Sequence, residues 1–292
     1  MATVNEKMTA IADAIRDKTG GTETLTLDEM AQAIPDVYYN GHDAGEQLGY
    51  NNGCVEGQSV GIELGKQSVY DEFYDIFWDS YQNNGARTDY RLAFKGAMWT
   101  DKTFKPKYDF IPTDALQMFV KANITDLVAL LESQNVVLDF SKCTNLYGCF
   151  SYSPITHIGV IDISNYNNYA NLNATFDECR KLVTIDKIKL NSGLPHNISN
   201  ATFRNCTALQ NIKFENSIST SIDFRWSPLS KDSITSVINA LSTTTTGNTL
   251  TLKKSAVNTA FGIDVDDKTT YPEGSEFYTL RHSKDNWTFS YM

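Results

Sequence analysis

The sequence predicts an α+β chain. An N-terminal helical head and a long helix with a glycine at every fourth residue come first, and a short coil of repeats closed by a mixed α/β block follows. Three observations predict this order. Gly41, Gly45, Gly49, Gly53, Gly57, Gly61 and Gly65 stand four residues apart. Ala174-Thr175-Phe176, Cys179, Leu182 and Ile185 recur as Ala201-Thr202-Phe203, Cys206, Leu209 and Ile212, each displaced by 27 residues. From Ser230 onward, helix-like and strand-like stretches alternate to the last residue.

Residues 3–18 read as a helix whose apolar face is Val4, Met8, Ile11, Ala12 and Ile15, stopped by Gly20-Gly21. Thr26 and Glu29 have the spacing of a capping box for a short helix ending near Ile34, before Pro35. This head, residues 1–35, either packs on itself or docks its apolar face on a larger assembly.

Residues 36–83 form the predicted stalk. Each glycine inside a helix costs about 1 kcal/mol relative to alanine, so seven require a partner backbone against the bare stripe. A four-residue step advances a helix by about 400°, so the stripe winds slowly, and a repeat above 3.6 residues favours a right-handed wrap. A strand or a linker are the competing readings of the run; glycine weakens a strand, and linkers seldom keep strict phase. Tyr70, Phe73, Tyr74, Phe77, Trp78 and Tyr81 continue as an aromatic helix face, stopped at Asn83-Asn84-Gly85.

Residues 84–135 read as a mixed connector with a short helix over 124–131. Residues 136–292 carry the repeats and their closing block. A weaker copy runs Phe150, Ser153, Ile155, Ile158, and Phe140, Cys143 and Leu146 give a partial one. Repeats of this length with Leu and Cys at inward positions predict a leucine-rich solenoid. One strand falls in each coil, at 159–163, 185–190 and 211–215. The closing block has a helix from Ser230 to Leu241, a strand at 249–252, a helical turn at 255–261, a helix at 275–282 and a last strand at 287–291.

Composition narrows the function classes. The 292 residues carry a net charge of −10. Nine acidic residues and one lysine lie between Asp36 and Gln82, which argues against nucleic acid as a partner. No stretch reaches 18 apolar residues, so membrane insertion is not expected, and the N-terminus lacks the apolar run of a signal peptide. Five cysteines at irregular spacing do not form a disulfide framework. His42, His157, His196 and His282 have no zinc spacing, and GxSxG, phosphate-loop and GxGxxG motifs are absent from the sequence. Asp264, Asp266, Asp267 and Glu273 lack the glycine of a calcium loop. No catalytic residue, metal or cofactor is therefore assigned. Tyr152, Tyr166, Tyr169 and Trp226 lie in or near the repeats and are the candidate receptor-binding residues, since exposed aromatics anchor interfaces.

ATFDECRKLVTI and ATFRNCTALQNI resemble BspA-like leucine-rich repeats, whose usual form is AFxxCxxLxxI. SPLSKDSITSVINALSTTTTGNTLTLKKSAVNTAF resembles the C-terminal part of such proteins from phages of Gram-positive gut bacteria. MTAIADAIRDKTGGTETLTLDEMAQAI resembles the N-terminal segment of tail-associated proteins of the same kind of phage, and YDEFYDIFWDSYQNNGARTDY with AFKGAMWTDKTFKPKYD is similar to the middle of that group.

The resemblance implies a non-enzymatic tail fibre or receptor-binding component. It would be made in the bacterial cytoplasm, located in the virion tail, and joined to other tail or baseplate proteins through its N-terminus. The glycine stripe would assemble a homo-oligomer, with a trimer favoured, and the repeats would bind a host-surface glycan or protein. A bacterial leucine-rich-repeat adhesin is the second reading, and a glycan-degrading tail enzyme the third.

Overall fold

In the computed structural model the described residues are 4–20, 22–26, 29, 75–164, 171–191, 198 and 201–292. They belong to two units, Met1–Asn84 and Gly85–Met292.

In the first unit, helix α1 spans Val4–Thr19. Ala12 and Ile15 are buried on it, with Met8, Ile11 and Leu25 packed against them. Gly20 ends the helix with φ +72°, and its N–H donates to the Arg16 carbonyl at 2.8 Å. The capping box closes in both directions: the Thr26 N–H donates to Glu29 Oε2 at 2.7 Å, and the Glu29 N–H donates to Thr26 Oγ1 at 3.3 Å. A helix α2 covers residues 75–81. Its Phe77 stacks on Tyr81 with centroids 5.2 Å apart, and the ring of buried Trp78 stands edge-on to both. The seven glycines of the predicted stalk lie outside the described residues.

The second unit is layered around stacked phenylalanine rings. Phe94, Phe119, Phe150, Phe176, Phe203 and Phe224 follow one another with centroids 5.1, 5.6, 5.7, 5.5 and 4.6 Å apart. Backbone bonds between layers set this spacing. Phe94 N–H donates to Met118 O, Phe119 N–H to Cys149 O, Phe150 N–H to Thr175 O and Phe176 N–H to Thr202 O, at 2.7–3.0 Å. Phe140, expected to belong to a repeat, instead meets Phe150 edge-on at 6.2 Å.

The repeat motif has a physical reading in these layers. A buried carbonyl needs a donor, and in three successive layers the third residue after the ring supplies one to the ring residue of the layer before. Ser153 Oγ donates to Phe119 O at 2.6 Å, Cys179 Sγ to Phe150 O at 3.0 Å and Cys206 Sγ to Phe176 O at 3.1 Å. Thr175 and Thr202 do the same for Leu146 O and Leu172 O, at 3.0 and 3.1 Å.

Helix α3, Leu127–Ser133, starts where Asp126 accepts from the Ala129 N–H at 3.0 Å. Strands β1 (His157–Asp162), β2 (Thr184–Lys189) and β3 (Asn211–Glu215) form one parallel sheet. The 27-residue repeat is its register: Ile158 pairs with Ile185, and Ile185 with Ile212. β4 (Ile222–Phe224), β5 (Asn248–Leu252) and β6 (Trp287–Tyr291) form a second parallel sheet. Helix α4 (Lys231–Ala240) connects β4 to β5, and α5 (Lys254–Phe261) and α6 (Glu276–His282) connect β5 to β6.

This corrects the expected fold. The described residues are mixed α/β, with short helices and two separate three-stranded parallel sheets, in place of an α+β chain with a short leucine-rich solenoid and a mixed α/β cap. The reason lies at the outer edge of β3. There the Ile212 N–H donates to Ser233 Oγ at 2.9 Å and the Phe214 N–H to Ser236 Oγ at 3.1 Å. Two serines of α4 thus take the donors that a fourth strand would have used, and the edge is covered by a helix. β4 carries no signal in the sequence: it is three residues long and buried throughout, so it shows no alternation.

Four of the layers bend at left-handed residues four apart on either side of the ring: Leu92 and Gly96, Gln117 and Lys121, Gly148 and Tyr152, Ala174 and Glu178. At Gly148, with φ +59°, an added Cβ would stand 3.2 Å from Gln117 Cγ and 3.3 Å from Ser151 Oγ. Gly148→Ala is expected to lower stability by about 1–2 kcal/mol. Ala174→Gly is expected to raise it by up to about 1 kcal/mol, since relief of left-handed strain exceeds the added unfolded-chain entropy. Urea midpoints should move in opposite directions; a shift in the same direction would show that backbone conformation does not govern this column.

Candidate functional site

The second residue after each stacked ring faces outward in register from layer to layer, and these positions build the site. They are Gly96, Lys121, Tyr152, Glu178, Asn205 and Trp226. Lys121, Tyr152, Glu178 and Asn205 all have φ between 57° and 60°. The main chains of the first three are tied to the next layer: Lys121 N–H donates to Ser151 O, Tyr152 N–H to Asp177 O and Glu178 N–H to Arg204 O, at 2.8–2.9 Å. The left-handed turn then directs each side chain away from the core.

A groove of about 340 Å³ opens on this column, lined among others by Lys121, Asn123, Tyr152, Glu178, Arg180 and Lys181. Tyr152 is 52% exposed, and the Lys121 ammonium lies 5.8 Å from its ring centroid. Glu178 accepts from Asn205 Nδ2 at 2.6 Å and from Arg180 Nε at 2.8 Å. The hydrogen bond from Asn205, then that from Arg180, hold its carboxyl below the usual range. Beside it, Arg204 grips buried Asp177 with both arms, Nε to Oδ1 at 2.7 Å and Nη2 to Oδ2 at 2.6 Å. Hydrogen bonding to Asp177 pushes the Arg204 guanidinium pKa up. Three layers further along in the same register, Trp226 is 44% exposed and follows Arg225, whose Nε and Nη2 bind buried Asp223 at 2.8 and 2.7 Å.

Of the four aromatic candidates, Tyr152 lines the groove and Trp226 shares its register. Tyr166 and Tyr169 lie outside the described residues. Lys121, Glu178, Arg180, Lys181 and Asn205 were not singled out from the sequence. Their shared signal is the position two after the ring, and it is obscured because Phe119 precedes Phe150 by 31 residues instead of 27 and carries Ala122 where later repeats have Ser or Cys. The sheet face carries cross-strand polar contacts instead: a hydrogen bond between His157 Nε2 and Asp186 Oδ1 at 3.0 Å, and ion pairs of Lys187 with Glu215 at 2.8 Å and Lys189 with Asp162 at 3.1 Å. Among the described residues no group of three His, Cys, Asp or Glu is placed to hold a metal ion, and no helix is long and apolar enough to cross a membrane.

Fold and site together define a layered α/β body that presents a polar, aromatic-edged groove. No protein-family model, curated protein or solved structure matches the chain.

Proposed function

We propose that the chain is a non-enzymatic structural and binding protein of a bacteriophage tail, a fibre or receptor-binding component that attaches to the host surface through its Gly85–Met292 unit. One observation carries the binding half of this reading. Tyr152 and Trp226, both substantially exposed, each stand two residues after a stacked ring, on a scaffold held by ring stacking from Phe94 to Phe224 and by backbone bonds between the layers from Phe94 to Phe203. Large aromatics on a rigid support are the usual anchors of an interface, because little side-chain freedom is lost when they are covered. The virion half rests on the resemblance of the N-terminal and middle segments to tail-associated proteins. In this reading the N-terminal head joins another tail or baseplate protein, and the glycine stripe assembles a homo-oligomer, with a trimer favoured.

Two measurements test the halves separately. Mass spectrometry of gradient-purified particles from the source culture should find the chain at structural abundance; recovery only from cell envelopes would replace the tail reading with that of a bacterial adhesin. Purified chain should cosediment with Gram-positive cells, and Tyr152→Ala with Trp226→Ala should weaken this by about 30-fold or more, the scale of a lost anchor. Adsorption that survives both substitutions would remove the register from the binding surface.

A further inference from the structure

We propose that the groove beside Tyr152 binds an anionic carbohydrate unit, a sugar residue that carries a carboxylate or a phosphate. This rests on the receptor-binding reading of the same surface and names its ligand class. The volume of about 340 Å³ is at the small end for ligand sites, which suits a ring-sized unit better than a helix or a folded chain.

Charge sets the sign of the ligand. The chain carries −10 overall, yet the groove gathers Lys121, Arg180 and Lys181 against one carboxylate, Glu178. That carboxylate is engaged by Arg180 and Asn205. Lys121 and Lys181 have no carboxylate within 4.0 Å among the described residues. Two lysines that line one opening therefore have no carboxylate partner, and their charge would attract a negative group on a ligand.

The neutral lining favours sugar over peptide. A peptide that binds by strand addition needs unpaired main-chain groups along an edge. Here the amides of Lys121, Tyr152 and Glu178 already donate to the neighbouring layers. The neutral lining includes the exposed side-chain amide of Asn123, which both donates and accepts and so matches a hydroxyl, and the half-exposed ring of Tyr152 beside Pro154, which offers a face to the C–H side of a sugar.

Calorimetry on the full chain would use four probes: a galacturonic acid tetrasaccharide, a phosphomannan fragment, dextran and poly-glutamate. Binding of the uronate, the phosphosaccharide or both is expected, with dextran at least about tenfold weaker; the first two probes separate carboxylate from phosphate. Tyr152→Ala should weaken the bound probe about tenfold. Lys121→Gln with Lys181→Gln should weaken it comparably and flatten its salt dependence, whereas Lys268→Gln should change nothing. Each variant is checked for unchanged circular dichroism. Failure of both anionic saccharides to bind overturns the proposal, as does poly-glutamate binding as tightly with no response to Tyr152→Ala. Cell adsorption measured in parallel separates the two readings. Adsorption lost in Tyr152→Ala without saccharide binding removes the ligand class alone, and saccharide binding without adsorption removes the receptor reading alone.

Discussion

Phe176→Ala is expected to lower the stability of the Gly85–Met292 unit by about 3–5 kcal/mol, the range for deleting a fully buried aromatic ring. Phe176 is completely buried between Phe150 and Phe203, with centroids at 5.7 and 5.5 Å and interplanar angles of 2° and 16°. Its neighbours cannot close the gap. The layers are held at a fixed spacing by Phe150 N–H to Thr175 O and Phe176 N–H to Thr202 O, and by Cys206 Sγ on the Phe176 carbonyl. The cavity therefore stays open, and the cost lies toward the upper end of the range. Phe214→Ala provides the contrast: Phe214 is half-buried and meets Phe224 edge-on at 6.5 Å, so its loss should be well under half as large. Chemical denaturation of both variants checks this; equal losses would mean that the stack is not the core of the unit.

The second large effect is alkaline. Cys143, Cys149, Cys179 and Cys206 are fully buried, and burial pushes all four thiols up, Cys143 to about 11. A folded pKa above the unfolded value means that the unfolded chain loses protons first as pH rises. The stabilising contribution is fully present below the ordinary thiol value of 9.0 and is lost above it, as pH climbs toward the folded values. With four thiols ionising only in the unfolded chain, stability should fall by up to about 5 kcal/mol per pH unit above pH 9. Urea midpoints at pH 8, 9 and 10 should show this steepening. Cys179→Ala with Cys206→Ala should start from lower stability at pH 8, because Phe150 O and Phe176 O lose their donors, yet roughly halve the alkaline slope. An unchanged slope would assign the alkaline loss to other groups.

Local readings survived wherever a signal sat within a few residues. The α1 face, the stop at Gly20, the Thr26–Glu29 box and the Ser230 cap of α4, whose side chain accepts from the Ser233 N–H, each rest on neighbours in the chain. The 27-residue offset gave the pairing of Ile158, Ile185 and Ile212 because parallel strands in successive layers must meet in register. Phe94 and Phe119 escaped because their offsets to the next ring are 25 and 31 residues and no Cys or Ser follows at the third position. The groove escaped with them, since Lys121 belongs to the Phe119 layer. Tyr152 is singled out by the sequence only as an aromatic in a repeat, without the cations beside it.

By itself, then, the sequence determined the inward face of α1, the caps at Gly20, Thr26 and Ser230 and the 27-residue offset of two layers, because periodicity and capping depend on near neighbours and on a constant offset; the helix expected over 124–131 instead starts at Leu127, where Asp126 caps it, and runs to Ser133. Only the tertiary structure decided where the first sheet ends and which side chains share the groove. Whether β3 gains another strand depends on Ser233 and Ser236 reaching its edge donors from a helix about twenty residues away. Whether Lys121, Tyr152 and Lys181 meet depends on connections of unequal length closing to one layer spacing. Both are long-range outcomes of packing, in which several local solutions compete and the burial of backbone polar groups selects among them.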